Sequence, residues 1–218
     1  MTDVAWHQRD LSIDQQLAVR TAATRLTNEF SAFYGPETIE RFLHSSYDQF
    51  ASHAVIPNYL PLLAERFARQ RLHALARVEG RLDGRPIVLF LCVHNAGRSQ
   101  MAMGFFQHLA GDRAIAWSGG TEPGSEVNPA AVVAMGERGI DITAEFPKPW
   151  TDEIVQAADV VITMGCGDSC PLYPGERYID WELDDPAGKS VDEVRPVRDE
   201  IERRVRHLLD QLQILASA

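Results

Sequence analysis

The run Cys92-Val93-His94-Asn95-Ala96-Gly97-Arg98-Ser99 holds the residue types needed to bind a tetrahedral oxyanion and attack it. It follows a continuous apolar run and opens a helical pattern, so it sits at a strand-to-helix junction. A turn there aims backbone N–H groups and the positive end of the helix dipole at one point. The Arg98 guanidinium can add two parallel charged hydrogen bonds to the anion. Dipole and guanidinium both favour thiolate over thiol at Cys92, and the thiolate is the nucleophile. Gly97 lets the backbone curl, and Asn95 tolerates a left-handed conformation while holding the loop through its amide. The Ser99 hydroxyl is placed to donate to the sulfur. His94 is expected to turn its side chain away and contribute its backbone N–H. The bland alternative is a buried strand-end cysteine beside an unrelated arginine. Strand before, helix after, and Asn and Gly between favour the anion loop.

Two more thiols, Cys166 and Cys170, lie in Met164-Gly165-Cys166-Gly167-Asp168-Ser169-Cys170-Pro171. This turn-rich stretch follows another apolar run, and strand carboxyl ends share one edge of a doubly wound sheet, so it can reach the Cys92 cradle. The residues leave three uses open: a thiol relay, two inert core cysteines, or part of a zinc site. Zinc wants four ligands in close pairs and only one pair exists, so no metal is expected. An odd cysteine count also argues against a structural disulfide framework.

The elements that must position these groups fall into two parts. Residues 1–84 carry helical periodicity only: Val19, Ala23, Leu26, Phe30 and Phe33 before Gly35-Pro36, then Ile39, Phe42, Leu43, Tyr47 and Phe50, then a longer helix after Pro57. They predict a small three-helix bundle. From 85 to 218 the pattern is α/β. IVLFLC, AIAWSGG, VVITMG and ERYIDWEL read as strands, separated by helices over RSQMAMGFFQHLAG, NPAAVVAMGERG and TDEIVQAAD, the last capped by Thr151. SVDEVRPVRDEIERRVRHLLDQL closes the chain as a helix. A four-stranded parallel, doubly wound sheet is expected. The arginines crowding the third helix read as a solvated face, and Trp150, Trp181, Tyr173 and Tyr178 as packing residues, with Tyr173 able to shape the Cys166 loop.

Net charge is −10, and residues 1–84 hold nine Lys+Arg against ten Asp+Glu. The larger half is thus acidic, which excludes a nucleic-acid binder built on a basic stripe. No stretch is long and apolar enough for a bilayer span, and MTDVAWHQRDLS lacks signal-peptide order, so a cytoplasmic, membrane-free protein is expected.

VLFLCVHNAGRSQMA resembles the signature of the low-molecular-weight tyrosine phosphatase superfamily, and more narrowly the arsenate reductases built on that fold. The similarity runs over about residues 85–215, and TMGCGDSCP and DWELDDPAGKS favour the reductases. The resemblance implies that Cys92 attacks arsenate, Cys166 attacks Cys92 to release arsenite, and Cys170 resolves the bridge for reduction by thioredoxin. Asp185, in Asp-Pro, matches the family's general acid, with Asp184 and Asp168 as plainer turn residues. Phosphate and sulfate are the expected competing anions, and no tightly bound cofactor is implied. Two variants share Cys92, Arg98 and Asp185: a reductase in which mycothiol or another small thiol does the second step, and a protein tyrosine phosphatase. Relatives with a potassium site carry a glutamate where this chain has Met103. Residues 1–84 show no chemistry, and nothing indicates an oligomeric state.

Overall fold

The computed structural model describes residues 11–51, 59–82, 84–166, Cys170, Tyr173 and 177–214. Gly167, Asp168, Ser169 and Pro171 of the predicted relay loop lie outside them. The chain forms two compact units, Met1–Leu82 and Asp83–Ala218. No helix of the described residues is long and apolar enough to cross a membrane.

The first unit holds α1 (Ile13–Phe30), α2 (Pro36–Ala51) and α3 (Leu60–Val78). Ser12 and Gln15 satisfy each other's backbone donors at the start of α1, with bonds of 3.2 and 3.0 Å. The helix stops at Phe30 rather than at Phe33, where the Phe33 N–H closes a tighter three-residue turn onto the Phe30 carbonyl at 2.8 Å. Phe33 still packs on the core formed by Leu26, Phe30, Ile39, Leu43 and Leu72.

The α3 arginines do not form a simple solvated face. Arg69 binds Glu29 at 2.7 Å and Glu65 at 2.9 Å, and Arg25 reaches Glu65 from α1. Arg71 donates to Ser45 Oγ at 2.7 Å and lies 4.7 Å from the Phe42 ring centre. Charge density along a helix is visible in sequence, but pairing depends on which helix lies alongside. Glu65 is 4% exposed, and a carboxylate so enclosed needs charged partners. Burial pushes its pKa up, yet the bonds from Arg25 and Arg69 outweigh it and hold the carboxyl below its ordinary value.

The second unit runs β1 (Ile87–Cys92), α4 (Arg98–Ala110), β2 (Ile115–Gly120), α5 (Pro129–Gly136), α6 (Asp152–Gln156), β3 (Val160–Met164), β4 (Arg177–Asp180) and α7 (Val191–Gln211). All strand pairs are parallel, in the order β2-β1-β3-β4. The six residues of β1 are all buried, as its unbroken apolar run requires for a central strand covered on both faces. Phe90 packs against Phe106 of α4 and against Trp181, with ring centres 5.8 and 5.9 Å apart. The register sets Cys92 beside Gly120 and beside Met164. The loops after β1, β2 and β3 therefore leave the sheet at one edge. Thr151 stands at the start of α6 without a capping bond, and its hydroxyl is buried with no partner among the described residues.

Candidate active site

Cys92 ends the central strand, 2% exposed, and is a free thiol. Its Sγ accepts from the Asn95 backbone N–H at 3.2 Å and lies 3.0 Å from Ser99 Oγ. Asn95 has φ +46, the left-handed conformation expected of it. Its Oδ1 accepts from the Lys148 backbone N–H at 2.9 Å, which fixes the amide orientation. Nδ2 must then be the group 2.8 Å from Ser99 Oγ. An amide nitrogen only donates, so the Ser99 hydroxyl proton is left to point at the sulfur. Gln100 reinforces this: its Nε2 donates to the Asn95 carbonyl at 2.9 Å and to the Phe146 carbonyl at 3.1 Å.

The loop's outer edge is tied to residues 121–128. The N–H groups of Glu122, Gly124 and Asn128 bond the carbonyls of Val93, His94 and Ala96, each at 2.9 Å. With those carbonyls taken, the donor edge of the loop is available to an anion. His94 Nδ1 lies 3.1 Å from the Glu122 carbonyl, so this ring nitrogen carries a proton and the imidazole is directed to the loop's outer side. Gly120 lets the two segments meet, since a Cβ there would lie 2.6 Å from the Val93 carbonyl oxygen.

Arg98 starts α4 and is 7% exposed. It touches two further loops. Its Nη2 is 3.4 Å from Asp185 Oδ2 and its Nη1 donates to the Leu183 carbonyl at 3.4 Å. A Cβ on Gly165, whose φ is +73, would lie 2.9 Å from Arg98 Nη1, so the chain just before Cys166 runs against the guanidinium. Pro186 seats the Asp185 turn on the Cys92–Ser99 loop. A Cβ on Gly97 would meet its Cγ at 2.5 Å, and its carbonyl accepts from Asn128 Nδ2 at 3.0 Å. Asp184, by contrast, is paired with Lys189 at 3.9 Å, and its side chain is 84% exposed.

Cys166 and Cys170 are joined by a disulfide with Cα atoms 5.6 Å apart, each 7% exposed. Beyond it, Tyr173 donates its N–H to Tyr178 Oη at 2.9 Å and its hydroxyl to Asp152 at 2.6 Å. Tyr173 is thereby held to β4 and α6. Cradle, arginine, carboxyl group and redox-active bridge thus stand at one sheet edge, an arrangement suited to nucleophilic attack on an oxyanion followed by thiol exchange.

The family model for low molecular weight phosphotyrosine protein phosphatase matches residues 87–216. The chain belongs to the low-molecular-weight phosphotyrosine protein phosphatase family. A second model, the protein-tyrosine-phosphatase-like N-terminal domain, matches residues 19–76. The chain is 42% identical to a thioredoxin-dependent arsenate reductase of Corynebacterium glutamicum, with a TM-score of 0.82 over 92% of this chain and 98% of that one. It is 40% identical over 132 residues to an arsenate reductase of Halalkalibacterium halodurans, covering 56% of this chain and 94% of the relative. A solved arsenate reductase in its phosphate-binding state is 37% identical, with a TM-score of 0.53 over 58% of this chain and 98% of that one.

Within this phosphatase-family site, the structure brings Asn95, Arg98, Ser99 and Asp185 to Cys92 or to one another, and sets Gly165, beside Cys166, against Arg98. Sequence reasoning missed Gln100, Asn128 and Lys148. Asn128 stands just before Pro129 as a helix cap, accepting from the N–H groups of Ala130 and Ala131, and that signal was legible. Lys148 lies in Phe-Pro-Lys-Pro-Trp, where a lone lysine among apolar residues is the only hint.

Proposed function

We propose that this enzyme reduces arsenate to arsenite, with Cys92 as nucleophile and Cys166 and Cys170 as a disulfide relay. The observation that carries the reading is the Cys166–Cys170 bridge, formed directly after the glycine that lies against Arg98. A phosphatase needs no such bridge, since water resolves its covalent intermediate. The similarity to a thioredoxin-dependent arsenate reductase over 92% of this chain supports the same reading.

Arsenate binds the N–H groups of Val93 to Ser99 and the Arg98 guanidinium. The Cys92 thiolate attacks arsenic, and the departing oxygen leaves as water, with Asp185 supplying a proton. The Cys166 thiolate then attacks Cys92 Sγ. The arsenic–sulfur electron pair stays on arsenic, giving arsenite and a Cys92–Cys166 disulfide. Cys170 attacks Cys166 and frees Cys92 as thiolate. The resulting Cys166–Cys170 bridge is the oxidised end state, which thioredoxin returns to two thiols. The thioredoxin step draws on the Corynebacterium relative. Phosphate and sulfate compete as tetrahedral anions of similar shape. The two compact units act as separate domains divided near residue 84, with the chemistry in the second.

The deciding experiment is arsenate-dependent NADPH oxidation coupled through thioredoxin and thioredoxin reductase, with wild type beside Cys92→Ser, Cys166→Ser and Cys170→Ser. All three substitutions are expected to abolish turnover. Activity of Cys166→Ser supplied with mycothiol or another small thiol would replace the internal relay with an external one. A wild type inactive toward arsenate with any thiol would refute the reading.

A further inference from the structure

Lys148 is 3% exposed and belongs to no step described so far. Its Nζ donates to Ser118 Oγ on β2 at 3.3 Å and to the Phe146 carbonyl at 3.5 Å, and lies 4.8 Å from the Phe146 ring centre. The Glu145 carboxylate stands 3.9 Å away, beyond a good charged hydrogen bond. An ammonium is a costly group to bury. Its backbone explains the location. The Lys148 N–H donates to Asn95 Oδ1 at 2.9 Å, and its carbonyl accepts from the Gly120 N–H at 3.0 Å. Gln100 meanwhile joins the Phe146 carbonyl to Asn95. The ammonium and the Asn95 amide are thus two ends of one buried network, with the chain from Phe146 to Lys148 between them.

We propose that Lys148 is a positioning residue for the nucleophile: its buried ammonium locks the 146–148 segment against β2, so that Asn95, and through it Ser99, is held in register with Cys92. The inference deepens the reading of Cys92 as nucleophile and rests on it. The ammonium is well suited to the task because it offers three donors, and the Phe146 carbonyl can only accept. A neutral side chain of equal length leaves the Ser118 hydroxyl and the Phe146 carbonyl without that donor. The segment then relaxes, Asn95 loses its fixed orientation, and the Ser99 proton is no longer directed at sulfur.

The test reads Cys92 directly and needs no arsenate, so it stands even if the wild type proves inactive toward arsenate. With the Cys166–Cys170 bridge intact, Cys92 is the single free thiol of the chain's three. Iodoacetate, an anion, is expected to enter the cradle and alkylate it with saturating kinetics, and phosphate to protect. In Lys148→Met the maximal alkylation rate is expected to fall about ten- to a hundredfold, the scale of a small misplacement of reacting groups. The half-saturating iodoacetate concentration should stay near the wild-type value, because Arg98 and the loop N–H groups remain. Lys148→Ala with added propylammonium should recover rate, whereas propanol, of the same shape without charge, should not. This comparison also decides the matter if Lys148→Met fails to fold. Wild-type rates in Lys148→Met, no recovery with propylammonium, or equal recovery with propanol would overturn the proposal.

Discussion

Replacing Gly97 with alanine tests whether the Asp185-Pro186 turn is seated by direct contact with the nucleophile loop. A Cβ at position 97 would lie 2.5 Å from Pro186 Cγ, whereas non-bonded carbons settle at about 3.5–4.0 Å. The proline must therefore retreat by about 1 Å, the difference between those separations. Its ring cannot swing aside as an open side chain would, and its carbonyl is tethered to Asn128 at 3.0 Å. The displacement passes to Asp185, its chain neighbour. Overpacking of this kind costs about 1–3 kcal/mol, less than the stability of a typical domain, so the variant should stay folded. An acid moved by about 1 Å is expected to slow the first step about a hundredfold. The assay mixes reduced protein with arsenate, quenches at timed intervals and follows disulfide-bonded protein by mass. Alkylation of Cys92 by iodoacetate, which needs no proton donor, is the control and should change little. Wild-type rates of disulfide formation would show that the turn accepts the methyl group and would refute the reasoning. Equal losses in both assays would refute it too, by placing the damage in the loop itself.

Gly165→Ala forces a side chain into a left-handed backbone position and towards Arg98, at a cost of about 1–2 kcal/mol; phosphate should protect Cys92 less well in competition alkylation, and unchanged protection would count against the contact. Glu65→Gln strips the buried carboxylate from Arg25 and Arg69. It should destabilise the helical unit by about 1–3 kcal/mol in denaturant unfolding, discounted for the half-exposed Arg25. Glu137, bonded by Arg195 and Arg198, has its pKa lowered to about 2 from 4.5. Its contribution to stability is complete above pH 4.5 and is lost as pH falls towards about 2, so thermal scans should show the α5–α7 clasp weakening only in that window. Glu137→Gln should flatten that part of the profile. A chain beginning at Arg85 should fold and keep some turnover, and a soluble, folded but inactive truncation would reject the assignment of all chemistry to the second unit.

The geometry of the Cys92–Ser99 loop was legible because it is local. Strand end, turn and helix start are contiguous, so residue types at fixed offsets dictate where the N–H groups and Arg98 point. The buried parallel strands were equally legible, since an unbroken run such as IVLFLC has few other places to go. Asp185 could be picked out only by its match to a family pattern. What sets its surroundings apart from those of Asp184 is the approach to Arg98 and the packing of Pro186 on Gly97, a contact between residues 89 positions apart. The α3 arginines were misread for the same reason, because pairing with Glu29 or stacking on Phe42 requires neighbouring helices to be in place. Lys148 is the extreme case. Its sequence surroundings say little, and its burial exists only because the sheet brings residues 95, 118 and 148 together. The sequence alone therefore determined the geometry of the Cys92–Ser99 loop, through short-range offsets. Tertiary structure decided which carboxylate, which glycine and which buried lysine lie against that loop and its neighbours, because those contacts join distant parts of the chain.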